Sequence, residues 1–268
     1  MNNDTEETMA KSLLMKVKDS LIKDGIIITA SKITSYFISK IKDRRFKSQI
    51  LTLNSSEDRF TWIYKNNYWS SSESRSGTGS TLKYTENLRK ELPKLISAYS
   101  IKRVFDAPCG DFNWMQHLLP CVDVEYIGGD IVKPLIENLN KDYKSNNILF
   151  VHFDLINQIP PQVDLMICRD CLFHLSYADT KAMLENFVKS KAAYLLTTTH
   201  SNVDKSFCNN DIVTGEFRRI DLFSAPYYFP NNPLYVIDDW IAPSPERQMC
   251  LWSREQIILS LNGFSNLN

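Results

Sequence analysis

Val104-Phe105-Asp106-Ala107-Pro108-Cys109-Gly110-Asp111-Phe112 carries the clearest fold signal in the chain. An apolar strand that ends in an acid, turns tightly at a glycine and runs into a helix begins a nucleotide-binding sheet. Alone the pattern is weak, but the spacing of two acids downstream strengthens it. Asp130 closes the next apolar run about 20 residues beyond Gly110, the spacing of a carboxylate that grips ribose hydroxyls. Asp154 closes the third run, where a side chain can reach an adenine amino group.

Working outward, short apolar runs alternate with helical patterns from Ile101 onward. Strands are expected at 103–106, 124–130, 148–153, 163–168 and 193–199. Ser176 with Asp179 resembles a capping box for a helix that buries Leu184, Phe187 and Val188. This alternation predicts an α/β fold, a doubly wound and mostly parallel sheet with helices on both faces. Two further strands, 234–239 and 249–252, predict an antiparallel hairpin closing the sheet. Ser253 with Gln256 caps a last helix ending near Gly263. Upstream, 66–80 is rich in Ser, Gly and Asn and reads as a loop. Ser80 is expected to cap a helix from Thr81 to about Glu91, and Pro93 to sit in the first turn of a second piece. The expected organisation is an N-terminal helical extension (1–65), a lid or linker (66–100) and a Rossmann-like domain (101–268) carrying an insertion at 201–233.

The chain has 268 residues, 43% hydrophobic and 23% charged, an ordinary globular mix. Lys+Arg and Asp+Glu are both 31, so nothing in the bulk charge attracts nucleic acid or an anionic membrane, and a small-molecule partner is the default. The first residues are polar and acidic, unlike a secretory signal, and no apolar run approaches the ~20 residues of a membrane span. A soluble cytoplasmic protein is expected, with no membrane partner. Leu13, Leu14, Val17, Leu21 and Ile22, and then Ile33, Phe37, Ile38 and Ile41, recur at helical spacing. They read as amphipathic helices packing on the body or on a second subunit, which leaves a homodimer through them open. Cys168 and Cys171 form a CxxC, but no second ligand pair accompanies it, so no metal site is expected.

The ligand's charge separates the candidate nucleotides. A pyrophosphate, as in NAD, wants free backbone N–H groups and a positive helix end. Pro108 removes one N–H, and Asp111 places a carboxylate at the helix start. S-adenosylmethionine (SAM) has no phosphate and carries a sulfonium and an ammonium, so acids around the turn suit it. With these residues in view, 101–200 resembles the core of the class I SAM-dependent methyltransferases. Of that family's three motif glycines only Gly110 stands here, with Pro108 and Phe112 at the other two places. The resemblance implies that Asp106, Pro108 and Gly110 lie at the cofactor, that Asp130 with Ile131 binds the ribose, and that Asp154 with Leu155 binds the adenine. The stretch Cys168-Arg169-Asp170-Cys171-Leu172-Phe173-His174 is similar to the family's fourth motif. Backbone around Arg169 would hold the methionine end, and side chains after it would face the acceptor. Each of these residues also has a plain structural reading: Asp154 capping a loop, Asp170 capping a helix, His174 bonded to backbone.

Two further stretches bear on the substrate. The run Ser74-Arg75-Ser76-Gly77-Thr78-Gly79-Ser80-Thr81 suits an anion held by backbone N–H groups, such as the cofactor carboxylate at Ser80 and Thr81. Trp69 and Tyr84 beside it are expected to exclude water. The long aromatic insertion is expected to wall an acceptor pocket through Arg218, Arg219 and Tyr227, with Arg75 and Trp114 also on the acceptor side. For a hydroxyl acceptor His174 is the first candidate base and His200 the second, with Asp170 orienting the base or binding substrate. The acidic-aromatic proline motif used on base amines is absent after strand four, which disfavours nucleic acid. Gly79-Ser80-Thr81 and the tail around Trp240, Glu246, Arg247 and Trp252 resemble bacterial surface-polysaccharide methyltransferases. That subgroup implies O-methylation of a capsule sugar or a phosphoramidate. A non-catalytic scaffold and a protein methyltransferase are the competing readings.

Overall fold

The computed structural model describes Met15, Lys16, Ile33, Thr34, Phe37, Ile38 and residues 40–204 and 206–264. Leu13, Leu14, Val17, Leu21 and Ile22, on which the first expected helix and the dimer expectation rest, lie outside them. The chain divides into two compact units, Met1–Thr52 and Leu53–Asn268. In the first, residues 40–51 are helical. Among the described residues no helix is long and apolar enough to cross a membrane.

The second unit opens with α1 (Ser56–Lys65), whose first turn is capped by Ser55 accepting from Asp58 N. α2 (Glu86–Ala98) follows. Then come β1 (Arg103–Asp106), the short α3 (Met115–Leu118), β2 (Glu125–Asp130), α4 (Lys133–Tyr143), β3 (Ile148–His152) and β4 (Leu165–Cys168). α5 (Tyr177–Ser190), β5 (Tyr194–His200), β6 (Tyr235–Asp238), β7 (Arg247–Ser253) and α6 (Arg254–Phe264) complete it. The strands form one sheet in the order β3-β2-β1-β4-β5-β7-β6. β1 to β5 pair in parallel, and β7 runs antiparallel between β5 and β6. The doubly wound sheet with its closing hairpin is thus present. Its order reverses between β1 and β4, which opens a crevice at the carboxyl ends of the strands.

Period-two alternation sends successive side chains to opposite faces. Phe105, Met166, Leu195, Cys250 and Trp252 face α5 and α6. Val104, Leu165, Ile167, Leu196 and Leu251 face the helices of the other side. β4 is buried on both faces, as a central parallel strand must be. Ser253 and Gln256 make the reciprocal capping bonds at α6, 2.9 and 3.3 Å. Ser176 caps α5, but its own N–H goes to Thr214 Oγ1, which in turn bonds the Asp179 carboxylate. The two expected helical pieces before β1 are instead one helix with Pro93 inside it. Leu88, Leu92, Leu95 and Ile96 form one buried stripe across the proline. Four buried aliphatic side chains at roughly 1.5–3 kcal/mol each outweigh the ~3 kcal/mol that an interior proline costs. Ser80 therefore caps no helix and lies in a short 3₁₀ turn, Thr78–Ser80.

Candidate active site at the carboxyl end of the sheet

The glycine turn is pinned on both sides, by Ala107 N to Ile167 O (2.9 Å) and Cys109 N to Gly129 O (2.8 Å). Gly110 has φ +56° and donates to Asp130 Oδ2 at 3.2 Å, while Val132 N donates to Asp130 Oδ1 at 3.0 Å. Tyr126 donates its hydroxyl to Asp106 Oδ2 at 2.8 Å. Asp106 and Asp130 are 2% and 7% exposed. Burial lifts Asp106 to about 7, with the Tyr126 bond and Arg169 opposing, and lifts Asp130 to about 6 against its backbone bonds. Two buried carboxylates on one turn form a site of acid character that a cationic ligand would relieve.

These raised values set a pH dependence. A carboxyl whose folded pKa is raised contributes stability that is fully present below its unfolded value and is lost as pH rises through the folded value. The contributions of Asp106 and Asp130 to the urea midpoint are therefore expected to shrink from pH 5 to pH 8, while the lowered pKa of His200 and of His174 acts in the opposite sense on the acid side of that range. Asp106→Asn should remove its share of that decline; an unaltered slope would mean Asp106 does not hold a proton there.

A strap covers the turn. Ser74 Oγ donates to Asp111 Oδ1 (2.9 Å), Arg75 N donates to Asp111 Oδ2 (2.6 Å), and Asp111 N donates to Ser76 Oγ (2.9 Å). The expected anion for this loop is, in the structure, the chain's own Asp111 carboxylate. Asn113 Nδ2 adds a bond to Ser80 O at 2.9 Å. A Cβ on Gly110 would stand 2.2 Å from Ser76 Oγ, at a φ that non-glycine residues adopt only under strain. Gly110→Ala is expected to destabilise the protein by about 1–3 kcal/mol and to open the strap to proteolysis. Equal protease resistance to wild type would show the contact to be slack.

At the end of β4 a quartet of charges forms, Arg169 and Asp239 buried and Asp170 and Arg247 half-buried. Arg169 bonds Asp239 through Nε (2.8 Å) and one terminal nitrogen (3.0 Å), and the latter also donates to Gly79 O at 2.7 Å. Arg247 donates to Asp170 Oδ2 at 2.7 Å. Asp170 has φ +53°, and its N–H donates to Thr198 Oγ1 at 2.9 Å. Burial pushes Asp170 up, but Arg169 and Arg247 outweigh it and hold the carboxyl below its usual range. Trp114 and Tyr84 lie against the two guanidiniums, at 5.6 Å from Arg169 and 4.7 Å from Arg247.

The two histidines differ in tautomer. His174 Nδ1 lies 2.7 Å from Glu216 O, which can only accept, so Nδ1 carries the proton and Nε2 keeps its lone pair. Its ring stands among Trp69 (5.5 Å), Phe173 (4.7 Å) and Phe217 (5.8 Å). Burial lowers its pKa, against the Glu216 carbonyl, so the ring is neutral near pH 7. His200 is reversed. Ile220 N donates to its Nδ1 at 3.2 Å, which leaves the proton on Nε2. Burial, then Arg247, pushes it down to about 4. A neutral ring with its lone pair spent on backbone is a donor, which corrects the expectation of His200 as a base.

Other expected site residues make local or core contacts. Asp154 accepts from Ile156 N and Asn157 Nδ2, both at 2.8 Å, which caps its own turn and leaves the carboxylate further acceptor sites. Leu155 is in the core beside α5, and Ile131 packs at the edge of the other core cluster. Arg75 turns away to Tyr64, donating to its carbonyl at 3.3 Å. Arg218 and Tyr227, expected on the pocket wall, are buried and bonded to each other at 2.5 Å, with Tyr177 under the guanidinium at 5.0 Å. Tyr227 takes one N–H of this buried guanidinium within the core, and the Asp211 carboxylate lies 3.8 Å from another of its nitrogens. Sequence reasoning missed Asp239, whose partner lies 70 residues away, and Ser76 and Tyr126. The one local signal for Asp239 was its place as an acid at the end of an apolar hairpin strand.

No protein-family model matches the chain, and no curated protein does. Solved structures do match. The magnesium protoporphyrin IX methyltransferase ChlM from Synechocystis PCC 6803, with bound S-adenosylhomocysteine (SAH), aligns at TM-score 0.50 and 12% identity, over 81% of this chain and 99% of that one. The mitomycin 7-O-methyltransferase MmcR aligns at 0.49 and 14%, over 64% and 54%. The N-methyltransferase NodS from Bradyrhizobium japonicum WM9 aligns at 0.48 and 10%, over 64% and 96%. With the strand order, the likeness to ChlM defines the fold as the Rossmann-like methyltransferase sheet.

Proposed function

We propose that this chain transfers a methyl group from SAM to a hydroxyl oxygen of a small polar acceptor, with His174 as general base. One observation carries the reading: Glu216 O fixes the His174 proton on Nδ1 at 2.7 Å and leaves Nε2 as the free base beside Trp69. Asp170 does not orient that ring; its oxygens are held by Arg247 and Thr198. The donor set fits the cofactor. Asp106 and Asp130 would present buried acid groups to a cationic nucleoside, Pro108 withholds the N–H a pyrophosphate would need, and the loop at Ser80 and Thr81 would lie by the methionine end. When bound, SAM supplies a methyl on a sulfonium, already activated toward an oxygen nucleophile. His174 takes the acceptor proton at Nε2, and Trp69 and Phe217 keep water from it. A capsule sugar hydroxyl fits a site with a base; a phosphate or phosphoramidate oxygen, already anionic, needs none.

The test is calorimetric titration of the whole chain with SAH, beside Asp130→Ala, followed by transfer of labelled methyl to sugar acceptors. Saturable SAH binding that Asp130→Ala loses is the expected result. A folded protein that takes up no SAH would favour the scaffold reading instead, for which Ser76 seated on Gly110 is the specific support.

A further inference from the structure

A pocket of about 300 Å³ opens between the chain leaving β5 and the loop joining β6 to β7. His200, Ser201, Arg219, Trp240, Ser244 and Glu246 contribute to its wall. We infer that this pocket seats the acceptor as a monosaccharide-sized unit bearing one anionic group, a carboxylate or a phosphate. The inference rests on the methyl-transfer reading and names its substrate class.

Size comes first. Small-molecule sites span roughly 300–1,000 Å³, and this one is at the low end, room for one ring rather than a polymer segment. Charge comes second. Among the described residues no carboxylate pairs with Arg219, and its guanidinium is braced from behind by the Phe207 ring at 5.4 Å. Arg247, opposite His200 in the β5–β7 ladder, is already committed to Asp170 at 2.7 Å. Arg219 is thus the cation left to meet a ligand's anion, by the fork that suits carboxylate or phosphate. Donors come third. His200 Nε2–H is fixed as a donor by Ile220 N on the other ring nitrogen. Hydroxyls at Ser201 and Ser244 and the carboxylate of Glu246 can answer ring hydroxyls. Trp240 gives a flat apolar face with a polar edge, the surface that covers the C–H face of a sugar ring.

One lining residue neighbours the proposed base through shared rings: the Phe173 and Phe217 centroids lie 5.7 and 6.5 Å from that of His200 and 4.7 and 5.8 Å from that of His174.

Calorimetric titration of the whole chain with glucose 1-phosphate, galactose 1-phosphate, glucuronate and galacturonate tests this, with glucose and inorganic phosphate alone as controls. At least one joined probe should bind better than either control, and Arg219→Gln and Trp240→Ala should each weaken it by about tenfold or more. Both residues are outside the core, and circular dichroism checks that the variants fold. Failure of all four probes, equal binding by Arg219→Gln, or inorganic phosphate matching the sugar phosphates would overturn the assignment. Parallel SAH titration separates the two readings. SAH binding without probe binding removes the pocket alone. Probe binding that depends on Arg219, without SAH binding, removes methyl transfer while the anionic-sugar site stands.

Discussion

If the proposed reaction holds, His174→Gln is expected to lower methyl transfer to a hydroxyl acceptor on the order of 10²–10⁴-fold and to leave SAH affinity as it was. The side-chain amide keeps a polar group of similar size beside Trp69 and Phe217 but has no lone pair basic enough to take a proton. The pH profile carries a second signature. Burial holds the His174 pKa below its usual value, so the base is free at neutral pH and is lost only on the acid side. Wild-type kcat should hold down through pH 6.5 and fall below it. The variant should show no such limb. With an acceptor whose oxygen is already anionic, wild type and variant should react alike. Equal rates on a hydroxyl acceptor would remove His174 from the chemistry.

The second large effect is on stability. Asp239→Ala is expected to destabilise the fold by about 3–5 kcal/mol, because it leaves the Arg169 charge buried without its two-point partner. Both side chains are nearly sealed, 4% and 0% exposed, so water cannot step in. The remaining neighbour, Asp170, lies 3.5 Å from Arg169 and already serves Arg247. At about 2–4 °C per kcal/mol for a chain of this size, the unfolding temperature should drop by roughly 6–20 °C. Asp238→Asn, one residue away and exposed, should stay within about 0.5 kcal/mol of wild type. Arg169→Met with Asp239→Leu should recover most of the loss, since neither charge then remains to be desolvated. A single variant as stable as wild type would mean that Arg169 finds water after all. Gly79 O accepts from the same guanidinium, so the strap over the glycine turn should loosen in the single variant as well.

The features legible in chain order are local. The apolar runs at 103–106 and 163–168 specified strands, and Ser253 with Gln256 specified the start of α6. Alternation of strands and helices specified a parallel sheet, and the apolar pair at the tail specified its hairpin. Asp106 and Asp130 came to the carboxyl end together because strand length and helix length between them are themselves local properties. Each such feature depends on groups within a few residues of one another, so chain order alone exposes it.

The tertiary structure decided which polar group answers which. Arg218 reads as a pocket residue until the core offers it Tyr227. His174 and His200 are chemically the same in the sequence. A carbonyl at Glu216 leaves one with a lone pair on Nε2, and an N–H at Ile220 leaves the other with a proton there. Arg169 finds Asp239 only after the hairpin folds back across the sheet. A buried polar group must replace the water it loses, and the partner that does so is whichever group the fold brings within about 3 Å, at any distance along the chain.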